Sequence, residues 1–87
     1  MSSTVHITVR YFASIREAIG HGSESVDTSA TSLAELRKTL IARGVPYADV
    51  LAQGRAVRMA LNQTVCDEKA TLIQDAEVAF FPPVTGG

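Results

Sequence analysis

One short stretch near the start constrains this chain more than anything else in it. Thr4 to Phe12 reads TVHITVRYF; Val5, Ile7, Val9 and Tyr11 fall on one parity and Thr4, His6, Thr8, Arg10 and Phe12 on the other. A period of two marks a strand with one buried and one open face. Such a strand needs neighbours for its backbone N–H and C=O groups and a cover for its apolar side. The 87 residues leave room for one core, so residues 1–87 are expected to form a single domain.

The neighbours emerge from the same test. Ser23 to Thr28 alternates weakly around Val26 and reads as an edge strand. In VRMALN, Val57, Met59 and Leu61 alternate with Arg58, Ala60 and Asn62, so this segment is a strand with Met59 in the core. Asn62-Gln63-Thr64 reads as a turn that leads into a short return strand at Val65-Cys66. A second turn at Asp75-Ala76 precedes the last strand, Glu77 to Phe81; Val78 and Phe80 share the core parity, and Glu77, Ala79 and Phe81 the other. Pro82 and Pro83 lack the N–H that a ladder needs, so pairing stops there.

The cover is Thr31 to Arg43. Ser32 and Glu35 have capping-box spacing, and Leu33, Leu36 and Leu40 recur on one face beside Ile41. Arg37, Lys38 and Arg43 suit the C-terminal half through the helix dipole, and Gly44 and Pro46 end it. Ser14 is placed to cap a short helix that stops at Gly20, and Tyr47 to Gln53 suits one or two further turns. The long helix must lie on one face of the sheet, and the two most apolar strands, first and last, belong at its centre as parallel neighbours. This is an α+β domain of β-grasp, ubiquitin-like type, with a mixed sheet covered on one face by a long helix.

Composition removes several functions. Net charge is −1 with no basic run, which disfavours nucleic acid. No apolar run reaches ~20 residues, so no membrane span is expected. MSSTVHITVR carries no apolar signal-peptide region, and the lone Cys66 allows no internal disulfide; both fit a cytoplasmic protein. His6 and His21 lie far apart and outside any metal-ligand spacing, so no metal site is expected, and no phosphate loop or nucleophile elbow is present. His6 reads as a surface polar residue and Cys66 as a small buried hydrophobe rather than a sulfur carrier. The chain is not expected to be an enzyme on its own.

Two features then stand out. Phe12 and Phe81 both fall on the polar parity of central strands, which places two rings on the open face; the other reading is that the sheet curls and buries them. Val65 is positioned to extend such a patch and Arg16, on the short helix, to sit at its rim. An exposed aromatic patch suits a partner interface. The other feature is the ending, FFPPVTGG. Gly86 and Gly87 have no Cβ and can thread a narrow channel, while Pro82 and Pro83 restrict φ and project residues 82–87 as an arm.

NQT at Asn62–Thr64, DAEVAFFPPVTGG at Asp75–Gly87 and VRYFASIREAIG at Val9–Gly20 resemble the small subunits of molybdopterin synthase, the MoaD type of sulfur carrier in the MoaD/ThiS family. The resemblance spans most of the chain; one departure is Ala76, where relatives often carry glycine. It implies that Gly87 is adenylated, converted to a thiocarboxylate, and donates sulfur to cyclic pyranopterin monophosphate in molybdenum cofactor biosynthesis. Pro82, Pro83, Val84, Thr85 and Gly86 would insert into the partner. The implied partners are a MoaE-type large subunit, a MoeB-type adenylating enzyme that consumes ATP, and a sulfur donor system; no cofactor is held permanently. The same tail chemistry would serve a ubiquitin-like protein modifier or the carrier of another pathway such as thiamine synthesis, and a binding module with an inert tail is the third reading.

Overall fold

The computed structural model describes residues 4–52 and 56–83. Its elements run β1 (Val5–Tyr11), α1 (Ala13–Ile19), β2 (Ser23–Thr28), α2 (Leu33–Ile41), α3 (Tyr47–Val50), β3 (Arg58–Leu61), β4 (Thr64–Cys66) and β5 (Glu77–Phe81). The strands form a five-stranded sheet in the order β2-β1-β5-β3-β4. β1 and β5 are parallel and the other pairs antiparallel. The first and last strands are thus neighbours near the centre, and Ser23 to Thr28 is an edge, as the patterning requires.

The parity reading holds for the centre of the sheet, while Val5, Val57 and Leu61 are only partly buried and Ala60, on the outer parity, is buried. Ile7, Val9, Tyr11, Met59, Val78 and Phe80 are buried, in one cluster with Leu33, Leu36 and Leu40 of α2. Ser32 Oγ accepts from the Glu35 N–H at 3.3 Å, and the Glu35 carboxylate reaches back to the Thr31 N–H at 3.2 Å. Gly20 and Gly44 close helical turns at φ +98° and +89°, where a side chain would be strained.

Three readings need revision, those of Ser14, Arg37 and Cys66. Ser14 does not cap α1. The N-cap is Phe12, still extended at φ −129° and ψ 155°, because its N–H continues the β1–β5 pairing to the Phe80 carbonyl. Arg37 is not a solvated dipole partner: its side chain is buried and donates to the carbonyls of Leu51 at 2.6 Å and Ala52 at 2.8 Å, with Glu68 Oε2 at 3.3 Å. It ties α2 to the chain after α3. The alanine at position 76, where relatives often carry glycine, carries no strain, since the positive φ of that turn falls on Asp75 at +64° and the Ala76 side chain is buried. Cys66 is half-buried at the margin of the core rather than within it.

Candidate functional site

Register assembles the open face of the sheet. Arg10 pairs with Ala79, Ala79 with Ala60, and Ala60 with Val65, so one row crosses four strands. Tyr11 pairs with Phe80, which sets the next residues, Phe12 and Phe81, side by side on the opposite face. The two alanines make a low floor, and the larger side chains stand around it. The result is an open depression of about 550 Å³ lined by Arg10, Phe12, Ala60, Gln63, Val65, Glu77, Ala79 and Phe81. Phe12 is 38% exposed and Val65 67%, which rules out a sheet that curls over them. Phe81 is half-buried.

The face is held from behind. Tyr11 and Phe80 point inward and stack with centroids 6.3 Å apart. The Tyr11 hydroxyl donates to Glu24 Oε2 at 2.7 Å, the Tyr47 hydroxyl donates to the same oxygen at 2.9 Å, and Arg43 reaches Oε1 at 2.8 Å. His21 Nε2 lies 3.3 Å from Oε2. Burial alone would raise the Glu24 pKa, but these donors outweigh it and hold the carboxyl at about 2. Burial first, then the hydrogen bond to Glu24 and then its charge, pushes both tyrosine hydroxyls above their usual range. A β2 carboxylate held by Tyr11 of β1, Tyr47 of α3 and Arg43 just beyond α2 therefore locks the ring that backs Phe12.

The NQT turn has a structural reason. Asn62 and Gln63 take φ +49° and +70°, the left-handed pair that a tight hairpin turn demands. Asn62 Oδ1 also accepts from the Glu77 N–H at 2.9 Å, which pins this hairpin to the start of β5.

Of the residues expected at an interface, Phe12, Val65 and Phe81 converge in the depression; Arg16 does not. It packs over Gly22 and lines a separate hollow with Ala13, Glu17, Gly20 and His21. The cation at the rim is Arg10, whose guanidinium carbon lies 5.3 Å from the Phe12 ring centroid and whose Nη1 lies 3.7 Å from Glu77 Oε2. Parity alone places Arg10, Glu77 and Ala79 on this face; only the strand register shows that they meet. His6 is exposed, with Nδ1 2.7 Å from Asp27. Burial, then the Asp67 charge, pushes the Cys66 thiol up, away from the thiolate that sulfur transfer would need.

β5 runs out of the depression into Pro82 and Pro83, both half-buried. Pro82 rests in a hollow with Ile15, Ala18, Val50 and Val57. Val84, Thr85, Gly86 and Gly87 lie outside the described residues. Among the described residues no group of three or more His, Cys, Asp or Glu side chains could hold a metal ion, and no helix is long and apolar enough to cross a membrane.

A mixed sheet with parallel first and last strands at its centre, carrying an open apolar face beside its C-terminal strand, defines a β-grasp protein of the ubiquitin-like class. More particularly, the chain belongs to the ThiS family, whose model matches residues 9–87. It is 37% identical over 81 residues to the molybdopterin synthase sulfur carrier subunit of Escherichia coli, a match covering 93% of this chain and 99% of that one. Its fold is similar to the solution structure of the Haloferax volcanii HVO 2177 protein, with a TM-score of 0.78 and 27% identity over 97% of this chain and 88% of the other. It is also similar to a chain in the complex of subunits 1 and 2 of molybdopterin-converting factor from Helicobacter pylori. That TM-score is 0.62, with 27% identity over 95% of this chain and all (100%) of that one.

Proposed function

We propose that this chain is the sulfur-carrier small subunit of a molybdopterin synthase, a single domain whose residues 82–87 form the working arm. The observation that carries the reading is the position of the apolar depression at the root of Pro82-Pro83, so that docking and delivery share one strand. The full-length likeness to the Escherichia coli carrier subunit supports it.

A carboxylate is a poor electrophile because its charge repels nucleophiles. A partner adenylating enzyme joins the Gly87 carboxylate to AMP from ATP and releases pyrophosphate. Sulfide released by the sulfur donor system then attacks the acyl carbon, the C–S bond forms as the C–O bond to AMP breaks, and a thiocarboxylate remains. Its sulfur is anionic at neutral pH and nucleophilic. The large subunit receives the arm and directs that sulfur onto the pterin precursor, cyclic pyranopterin monophosphate. This chain supplies no acid or base to the reaction and holds no cofactor; it works in the cytoplasm as a protein cosubstrate. The raised Cys66 thiol supports assigning the sulfur to the terminus rather than to the cysteine.

Intact-mass measurement after incubation with adenylating enzyme, ATP and a sulfur donor tests the reading. A gain equal to the exchange of one oxygen for one sulfur, located at Gly87, is the expected result. Isopeptide-linked conjugates without that gain would make the chain a protein modifier, and no change would make it a binding module.

A further inference from the structure

The resemblance described above gives Arg10 no role, yet it is an exposed cation on the docking face. Its guanidinium is positioned by two weak contacts. One is the Phe12 ring, 5.3 Å to the centroid; the other is the Glu77 carboxylate at 3.7 Å. The second distance is an ion pair but too long for a hydrogen bond. No described residue accepts a hydrogen bond from the Arg10 guanidinium, which has five N–H donors in a planar fork. The side chain is 45% exposed. It is therefore held in place but unsatisfied, and on an open surface water fills the gap.

Docking removes that water. A partner covering Phe12, Val65 and Phe81 also covers Arg10, because all four line the same depression. A guanidinium desolvated without acceptors is strongly unfavourable, and Glu77 offers it one long approach. Charge sets which acceptor fits. Arg58 is the register partner of Phe81, is exposed, and alternates with buried Met59, so it stands on the same face as Ala60. The open face therefore carries two cations, Arg58 level with Phe81 and Arg10 level with Ala79, with Glu77 as the carboxylate beside Arg10.

We propose that Arg10 is the polar anchor of this face and takes an acidic side chain of the large subunit in a two-point, fork-to-carboxylate contact at the margin of the apolar depression. The proposal rests on the docking reading given above. Phe12 keeps the fork in place beforehand, so little side-chain freedom is lost on binding. A planar fork matches a carboxylate where a lysine ammonium does not.

Binding to the cognate large subunit, measured calorimetrically at several salt concentrations for Arg10→Ala, Arg10→Lys and Phe81→Ala, tests it. Thermal melts confirm that each variant is folded. Arg10→Ala is expected to weaken binding on the order of thirtyfold or more and to flatten the salt dependence. Arg10→Lys should recover only part of the affinity. The lysine of that variant should also form a zero-length carbodiimide cross-link to an Asp or Glu of the large subunit, located by mass spectrometry. Wild-type affinity in Arg10→Ala, with binding still lost in Phe81→Ala, overturns the anchor and leaves the docking face standing. Wild-type affinity in both overturns the docking face itself. Lost affinity in Arg10→Ala without any cross-link from the Arg10→Lys variant overturns the carboxylate partner.

Discussion

Adjacent phenylalanines on β5 should separate folding from binding. Phe80 is 0% exposed and stacks on Tyr11 at 6.3 Å, so Phe80→Ala opens a cavity in the centre of the core. Such truncations cost about 3–5 kcal/mol. A chain of 87 residues has roughly 4–13 kcal/mol of stability in total. The variant therefore loses roughly a quarter of its stability or more, and its melting temperature should fall by roughly 12 °C or more. Phe81 faces the depression, and its ring has no core to leave. Phe81→Ala should cost folding only about 1 kcal/mol. Its cost falls on docking, about 2 kcal/mol, near thirtyfold in Kd. Urea melts and binding isotherms for both variants read the two effects separately. If Phe81→Ala unfolds the protein and Phe80→Ala spares it, the assignment of inner and outer faces on β5 is wrong. The depression would then have to be redrawn.

Further expectations concern the support and the tail. Glu24 titrates at about 2 against an ordinary value of 4.5, so the stability it contributes is complete above pH 4.5 and is lost as the pH falls toward 2. Glu24→Gln should lower stability by about 2 kcal/mol at neutral pH. It should also flatten that acid slope in urea midpoints measured from pH 7 downward; an unchanged slope would remove Glu24 from the account. Arg37→Ala leaves the Leu51 and Ala52 carbonyls without their guanidinium donor, and chemical denaturation should show a loss of about 2–4 kcal/mol, little of it recovered in Arg37→Lys. One residue appended after Gly87 should abolish thiocarboxylate formation in the mass assay while leaving the melting temperature unchanged. Normal sulfur loading of that extended chain would refute the terminal site.

The parts of this protein that were legible in its sequence are those written in a local period. Val5 to Tyr11 and Glu77 to Phe81 announce their inner and outer faces by alternation alone, and Ser32 with Glu35 announces a helix start. What was illegible depends on distant segments meeting. Arg37 reads as one more surface cation until the end of α3 brings the Leu51 and Ala52 carbonyls to it. Its place among Leu33, Leu36 and Leu40 was the available signal, since a charge on the apolar face of a helix calls for buried partners. Glu24 reads as a polar residue on an edge strand, yet its parity matches Val26, and it points under the sheet to Tyr11 and Tyr47. Arg16 lies near Phe12 in sequence, but α1 turns it away, and Arg10 takes the rim because β1 lies against β5.

The same alternation explains how one strand pair serves both the core and the surface. Tyr11 and Phe80 point inward and fix the β1–β5 ladder, while Phe12 and Phe81, one residue on, point outward. Every contact that stabilises the inner pair, including the Glu24 cluster, also fixes the outer pair, because no flexible segment lies between them. On the proposed function this rigidity has a purpose. Four residues follow Pro83, and at ~3.3–3.6 Å each they reach at most about 14 Å. The sulfur on Gly87 must therefore fall within that radius of the docked sheet. A face free to tilt would spread the sulfur through a larger volume and lower its effective concentration at the acceptor. Loosening the support behind Phe12 should then slow sulfur transfer from the docked complex more than it weakens docking. Tyr11→Phe is the direct trial, because it removes only the hydroxyl that meets Glu24. Single-turnover transfer several-fold slower at unchanged Kd is the expected result, and an unchanged rate would show that the arm alone sets delivery.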